Sequence, residues 1–238
     1  MHKKGFTLVE VALFLALSGL LVAVVIGGTS SSIAQKRYND TVNSFESYLE
    51  GLYSSANYVS HSGTGKTNEA VYGKLVEMYQ DSGKTKFTSY TVLGRANPTS
   101  SSTDALETLY GNSPRIEPGS DSTYIPSWGG VIKSADTTPE KISLLIIRHP
   151  KNGMFFTYVN KDPFAITYHE TNSFTGVIVC NMLLHSCNFK KENANFCIES
   201  GDMWAAGNER RLIRIHEGAN NSSGVEIVSN TDKGDLCS

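Results

Sequence analysis

The sequence predicts an α+β protein: one long N-terminal helix, its first half membrane-spanning and its second half amphipathic, packed on an antiparallel β-sheet domain. Three observations predict it. An unbroken apolar run follows a short basic start and extends from Phe6 to Gly28. Beyond it, apolar residues recur at helical spacing as far as Val59. The second half of the chain carries runs of β-branched and aromatic residues separated by turn-forming ones. With 238 residues, there is room for a membrane helix and one globular domain of moderate size. The expected divisions are 1–5, a leader; 6–28, a membrane-spanning helix; 29–60, its amphipathic continuation; and 61–238, an extracytoplasmic β-rich domain.

Residues 6–28 form a helix of roughly 35 Å, enough to cross the hydrocarbon core of a bilayer. The run contains one charge, Glu10. A carboxylate there costs roughly 2.5–3.5 kcal/mol on insertion scales, so a functional partner is expected. If the bond after Gly5 is cut, Phe6 carries a new α-amino group. Residues 6 and 10 are i and i+4 on one helical face, so the carboxylate can pair with that amine in its own subunit or in a neighbour. Ala12, Ala16, Gly19, Ala23 and Gly27 form a narrow face of small side chains, which lets neighbouring helices approach closely. Glu10 lies roughly opposite this face, so the two features meet different neighbours.

The stretch Gly5-Phe6-Thr7-Leu8-Val9-Glu10, after the basic leader His2-Lys3-Lys4 and before the apolar helix, resembles the N-terminus of type IV pilins. That family includes the pseudopilins of secretion and DNA-uptake machines. The resemblance covers the first 28 residues directly and the rest in outline. It implies that a membrane prepilin peptidase cuts after Gly5, that Phe6 is N-methylated, and that Glu10 aids assembly of the filament. It also implies a helical spine laid across an antiparallel sheet. A cleaved secretory signal would have a shorter apolar region without an acid, followed by a small-x-small site. A plain membrane anchor would have no reason to keep Glu10. Lys3 and Lys4 agree with a cytoplasmic start, whereas Lys36 and Arg37 lie beyond the membrane, some distance from its apolar edge.

The helix is expected to continue past Gly27-Gly28, which can bend or locally melt it. Tyr38, Val42, Phe45, Leu49, Leu52, Ala56 and Val59 form a stripe that packs on a globular domain. So many aromatic and small residues argue against a coiled-coil dimer. One helix over 6–59 would be roughly 80 Å long. His61-Ser62-Gly63-Thr64-Gly65-Lys66-Thr67 looks like a phosphate loop, but Ser60 stands where that pattern needs Gly, and the segment follows a helix rather than a strand. From 70 to 140 the signal is weak: a strand over Lys86–Leu93, a polar loop over Asn97–Thr103, then irregular structure with short strands. Ile142–Arg148 and Met154–Val159 are the strongest strand signals, joined by a turn over Pro150–Gly153. Gly176–Met182, Arg210–His216 and Val225–Val228 complete an antiparallel sheet.

Four cysteines, Cys180, Cys187, Cys197 and Cys237, follow the membrane segment. The even count implies disulfides in an oxidising compartment. A zinc site using His185 with Cys180 and Cys187 is the rival, but no C-x-x-C pair is present. Three connectivities are possible. A short Cys180–Cys187 loop with Cys197–Cys237 is favoured, because the second bridge ties down a polar tail that buries little surface. The resemblance agrees, since many pilins enclose their C-terminal region with a disulfide. Cys187–Cys197 with Cys180–Cys237 is the main competitor.

No catalytic constellation stands out. His169-Glu170 lacks the second His of a zinc-protease helix, and there is no G-x-S-x-G elbow. Asp202, Glu209, His216 and Glu226 are ordinary surface residues with nothing to join them. A net charge of −2 gives no reason to expect nucleic acid as the main partner. No cofactor or metal is expected. The expected function is therefore structural, as a subunit of a type IV pilus or related filament. Its expected partners are other pilin subunits, the prepilin peptidase and the pilus assembly machinery; DNA or surface binding has no support in the sequence. The expected location is the cytoplasmic membrane before assembly and the cell surface after it. The alternatives are a pseudopilin of a secretion or uptake system, and a membrane-anchored extracytoplasmic binding domain that never polymerises.

Overall fold

The computed structural model describes residues 7–57, 69–81, 83–95, 103–112, 114–117, 119–135, 142–149, 151–161, 189–200, 210–217, 219, 221–228 and 237. Helix α1 runs unbroken over Leu8–Asn57, a length of about 75 Å. It continues through Gly27 and Gly28. Just beyond them, the Thr29 hydroxyl donates to Val25 O at 2.9 Å and the Ser30 hydroxyl to Ile26 O at 2.9 Å. Such bonds to the preceding turn hold the helix while loosening its own ladder.

Among the remaining described residues, two antiparallel sheets are laid on the second half of α1, where one sheet was expected. The first contains β1 (Glu69–Asp81), β2 (Lys84–Arg95), β3 (Arg115–Ile116), β4 (Ser122–Tyr124), β6 (Ile142–Arg148) and β7 (Phe155–Asn160). Its order is β3-β2-β1-β6-β7, with β4 on β2. The second contains β5 (Val131–Ser134), β8 (Ala194–Glu199), β9 (Arg210–Ile215) and β10 (Val225–Val228), in the order β10-β9-β8-β5. Helix α2 (Ala105–Gly111) packs on the far face of the first sheet.

The amphipathic stripe of α1 makes the main core. Tyr38, Val42, Phe45, Leu49, Leu52 and Ala56 are buried, joined by Ala34 and Tyr53. They meet Val76, Met78, Phe87, Leu144, Ile146 and Val159 of the first sheet, and Ile132, Phe196, Ile198, Ile213 and Ile215 of the second. Phe45 sits centrally, with ring centroids 4.9 Å from Phe87 and 5.5 Å from Phe196, the latter edge-on. Full burial of one such ring contributes roughly 1.5–3 kcal/mol. Two of the core's tyrosine tips have partners: the Tyr38 hydroxyl donates to Ile198 O at 3.1 Å, and the Tyr53 hydroxyl lies 2.7 Å from Thr157 Oγ1.

The expected strands over Lys86–Leu93, Ile142–Arg148, Met154–Val159, Arg210–His216 and Val225–Val228 appear as β2, β6, β7, β9 and β10 with small changes at their ends. The turn between β6 and β7 closes through His149 N to Met154 O at 2.8 Å, with Gly153 at φ 71°. Three elements depart from expectation: the long strand β1, the helix α2 and the strand β8. The expected strand over Gly176–Met182 and the phosphate-loop-like segment 61–67 lie outside the described residues. Gly73 is required where β1 meets β6, because a Cβ there would run into the Ile146 carbonyl and the Ile147 backbone.

Candidate assembly interface

The site is the N-terminal half of α1. From Leu8 to Ile26 every residue but Ser18 is exposed, Leu8 to 86% and Phe14 to 68%. A helix this long and apolar is able to cross a membrane. Among the described residues nothing covers it, and an apolar surface of this size calls for a second apolar phase, lipid or protein. Around Gly19 and Gly27 the space is open, as close helix approach needs.

At its start, Glu10 Oε2 accepts from Thr7 N at 2.8 Å and from Thr7 Oγ1 at 2.9 Å, while Glu10 N donates to Thr7 Oγ1 at 3.3 Å. This is a reciprocal capping box, which satisfies backbone donors that the first helical turn leaves free. Sequence reading gave Glu10 only an assembly role. The T-x-x-E spacing was the available signal for the cap. Gly5 and Phe6, the expected cleavage and methylation positions, lie outside the described residues.

No family model, curated protein or solved structure matches the chain.

Where α1 enters the domain, the loop between β4 and β5 grips it. A short 3-10 turn, Ser127–Gly129, places Ser127 O 2.9 Å from Thr41 Oγ1. Gly130 abuts Thr41, and a Cβ at that glycine would lie 2.6 Å from the Thr41 methyl. Trp128 has φ 58° and ψ 20°, the left-handed region, which costs a bulky residue roughly 1–2 kcal/mol. Among the described residues it is the one non-glycine at positive φ. Its indole lies over the Arg37 guanidinium, 4.9 Å from the ring centroid, and stays 54% exposed.

Cys197 and Cys237 are bonded, with Cα atoms 5.6 Å apart and a sequence separation of 40. The bridge lies on the second sheet's outer face, packed with Leu212, Val228 and Ala135. Arg210 Nη1 donates to Cys237 O at 2.7 Å. Cys180 and Cys187, with His185 of the rival zinc reading, lie outside the described residues. So do His169, Glu170, Asp202 and Glu209. His216 and Glu226, read as unrelated, are brought together at 3.0 Å, with Arg214 Nη1 3.8 Å from the same carboxylate oxygen. This exposed group is an ion pair of small worth. Among the described residues no group of three His, Cys, Asp or Glu side chains is placed to hold a metal ion.

Charges inside the domain are placed for packing. Burial works to raise the Asp104 carboxyl, but hydrogen bonds from Lys191 and from the backbone N–H groups of Leu106 and Glu107 outweigh it and hold it low. Asp104 thereby caps α2 and also accepts from the Tyr158 hydroxyl at 3.1 Å. Glu77 on β1 is pushed up to about 7 by burial, partly offset by its hydrogen bond with Tyr90.

Proposed function

We propose that the chain is a structural subunit of a type IV pilus or related filament, made as a prepilin, cleaved after Gly5, N-methylated on Phe6 and polymerised through α1. In this reading it is a substrate of the prepilin peptidase and has no catalytic role of its own. Its partners are further pilin subunits and the membrane assembly machinery. It waits in the cytoplasmic membrane as a single-pass protein and ends in a filament on the cell surface.

One observation carries the reading. A fully exposed apolar half-helix bears a single carboxylate in its first turn, directly after the Gly5-Phe6 step, while the other half of the same helix is the spine of a folded domain. The carboxylate caps the helix through Thr7, a use that a plain anchor shares; what supports the filament reading is that it also stands four residues from the amine that cleavage would free, in an apolar run where a charge is costly. In a bundle of such helices, the Glu10 carboxylate of one subunit can meet the Phe6 amine of its own or the next.

The test is the mass of the mature N-terminus. The expected result is a chain that begins at a methylated Phe6, and a Gly5→Glu variant that stays full length in the membrane. Glycine lies extended in a narrow protease cleft where a larger side chain does not fit. An unprocessed wild-type chain, or one cut elsewhere, would leave a membrane-anchored extracytoplasmic binding domain as the better reading. Abundance in sheared filaments separates a major pilin from a pseudopilin.

A further inference from the structure

We propose that the loop carrying Trp128, together with Ile33, Lys36 and Arg37 of α1 and Lys84 at the start of β2, forms a rim that rests on the phospholipid headgroup layer while the subunit waits in the membrane. The proposal rests on the reading that the N-terminal half of α1 spans the bilayer.

The first ground is position. The apolar run ends at Gly28, and Arg37 is nine residues further on, about 13 Å along the axis. The loop backbone meets the helix at Thr41, yet the indole lies over the Arg37 guanidinium, a turn nearer the membrane. Helical side chains lean towards the N-terminus, which carries Arg37 further the same way. Membrane helices tilt by about 20° on average, and a tilt towards the loop lowers the off-axis rim onto the headgroups.

The second ground is chemistry. Ile33, one turn below Arg37, is 52% exposed, Ile125 50% and Trp128 54%. Outside the spanning half of α1, these are the largest exposures among the described large apolar side chains. They converge with cations. Arg37 and Lys36 make no ion pair with any described residue, and Lys84 at the start of β2 lines a pocket with Ile125, Pro126 and Gly130. The nearest acid on that part of the helix is Asp40. Asp81, the acid at the end of β1, is held by Lys86 at 2.5 Å. Apolar rings and aliphatic chains beside cations that pair with no described acid suit an interface of acyl chains and phosphates, where Trp and Arg are both at home.

The third ground is conformation. Trp128 occupies a backbone region that glycine fills without strain, between Pro126 and Gly129-Gly130. That conformation carries the ring outwards onto Arg37. Strain of this kind persists only where the surroundings hold it, and such residues cluster at ligand clamps and other functional positions.

The experiment uses the full chain in phosphatidylcholine vesicles, with and without phosphatidylglycerol. The sequence has two tryptophans, so Trp204→Phe isolates the Trp128 signal. The difference between wild type and Trp128→Phe gives the same signal if Trp204→Phe misfolds. The expected result is stronger quenching of Trp128 by a nitroxide on the headgroup than by one at mid-chain, with protection from iodide that grows with phosphatidylglycerol. Arg37→Gln is expected to cut the ratio of lipid-bound to free indole about five-fold, the worth of one basic side chain at an anionic surface.

A bimane on Leu17→Cys reports the span independently. If that probe is quenched at mid-chain while Trp128 stays open to iodide, the rim is wrong and the span stands. If neither is quenched and carbonate extracts the chain, both readings fall. Protection of Trp128 that disappears when the protein is diluted in lipid would overturn the lipid contact in favour of one with a second copy.

Discussion

Glu10 caps the helix through Thr7, and the proposed processing would add a second partner for the same carboxylate. In the uncut chain it accepts two hydrogen bonds from Thr7. Cleavage after Gly5 would offer the Phe6 amine four residues away, on the same helical face. The cap needs an acceptor, whereas the amine needs a charge. Gln serves in a capping box nearly as well as Glu, so Glu10→Gln keeps the first role and loses the second. Thr7→Val does the reverse, removing a cap worth roughly 0.5–2 kcal/mol while leaving the carboxylate. We expect Glu10→Gln to insert and be cleaved normally but to give few sheared filaments, and Thr7→Val to assemble nearly as wild type. The opposite order of filament yields would make the cap the essential role and remove the charge pairing. The cap is legible in the T-x-x-E spacing of Thr7-Leu8-Val9-Glu10, where the expectation for Glu10 is an assembly role alone.

Among the elements, the helix was legible and the central strand was not, for one physical reason. The stripe of α1 buries one face only, so its period survives in the sequence. Strand β1 lies between β2 and β6 and is packed on both faces: Val76 and Met78 meet α1, while Tyr72 and Leu75 join the α2 side. Alternation is lost in such a strand, and the irregularity between Val71 and Gly73 shifts what remains by one residue. Helix α2, seven residues long, is too short to show a period; Asp104, its cap, was the available signal. In β8, Cys197 was read for its sulfur alone, although Phe196 and Ile198 face the core on either side of it. The sheet placement of β1 also creates a pH dependence at Glu77, which pairs across with Thr88 on β2 and Ser143 on β6. Burial raises its carboxyl from 4.5 to about 7 in the folded chain. The folded state therefore holds a proton that the unfolded state releases, and stability falls as pH rises between those values. Glu77→Gln removes the penalty. Denaturation of the full chain in detergent should show the variant more stable by about 1–3 kcal/mol at pH 8, after allowance for partial solvent screening, with no difference near pH 4. An equal gain at both values would mean that the effect comes from packing rather than ionisation.

At the scale of the whole molecule, α1 has an exposed apolar half and a packed half, and the cross-link lies on the face of the second sheet opposite the packed half. The Cys197–Cys237 pairing is legible in the sequence, because a polar tail that buries little surface needs a cross-link to hold it. Its neighbours were not legible, because they depend on a second sheet that was not foreseen. The bridge fastens Cys237 over Leu212 and Val228, on the face of the second sheet turned away from α1. The main core, by contrast, is made by α1 with the inner faces of both sheets. The consequences of removing the bridge should therefore be local. A closed loop of 40 residues is worth at most roughly 4 kcal/mol in the chain-entropy account, and commonly 2–4. For a chain of this size that corresponds to a fall of about 5–15 °C in the unfolding midpoint. We expect the double variant Cys197→Ser with Cys237→Ser to show that fall, with faster amide exchange in β9 and β10 and unchanged exchange in β6, β7 and the buried half of α1. Because α1 keeps both its exposed apolar half and its packed stripe, membrane insertion should be unaffected. A uniform rise in exchange across both sheets would mean that the bridge holds the two sheets together, and that the core beneath α1 does not stand without it.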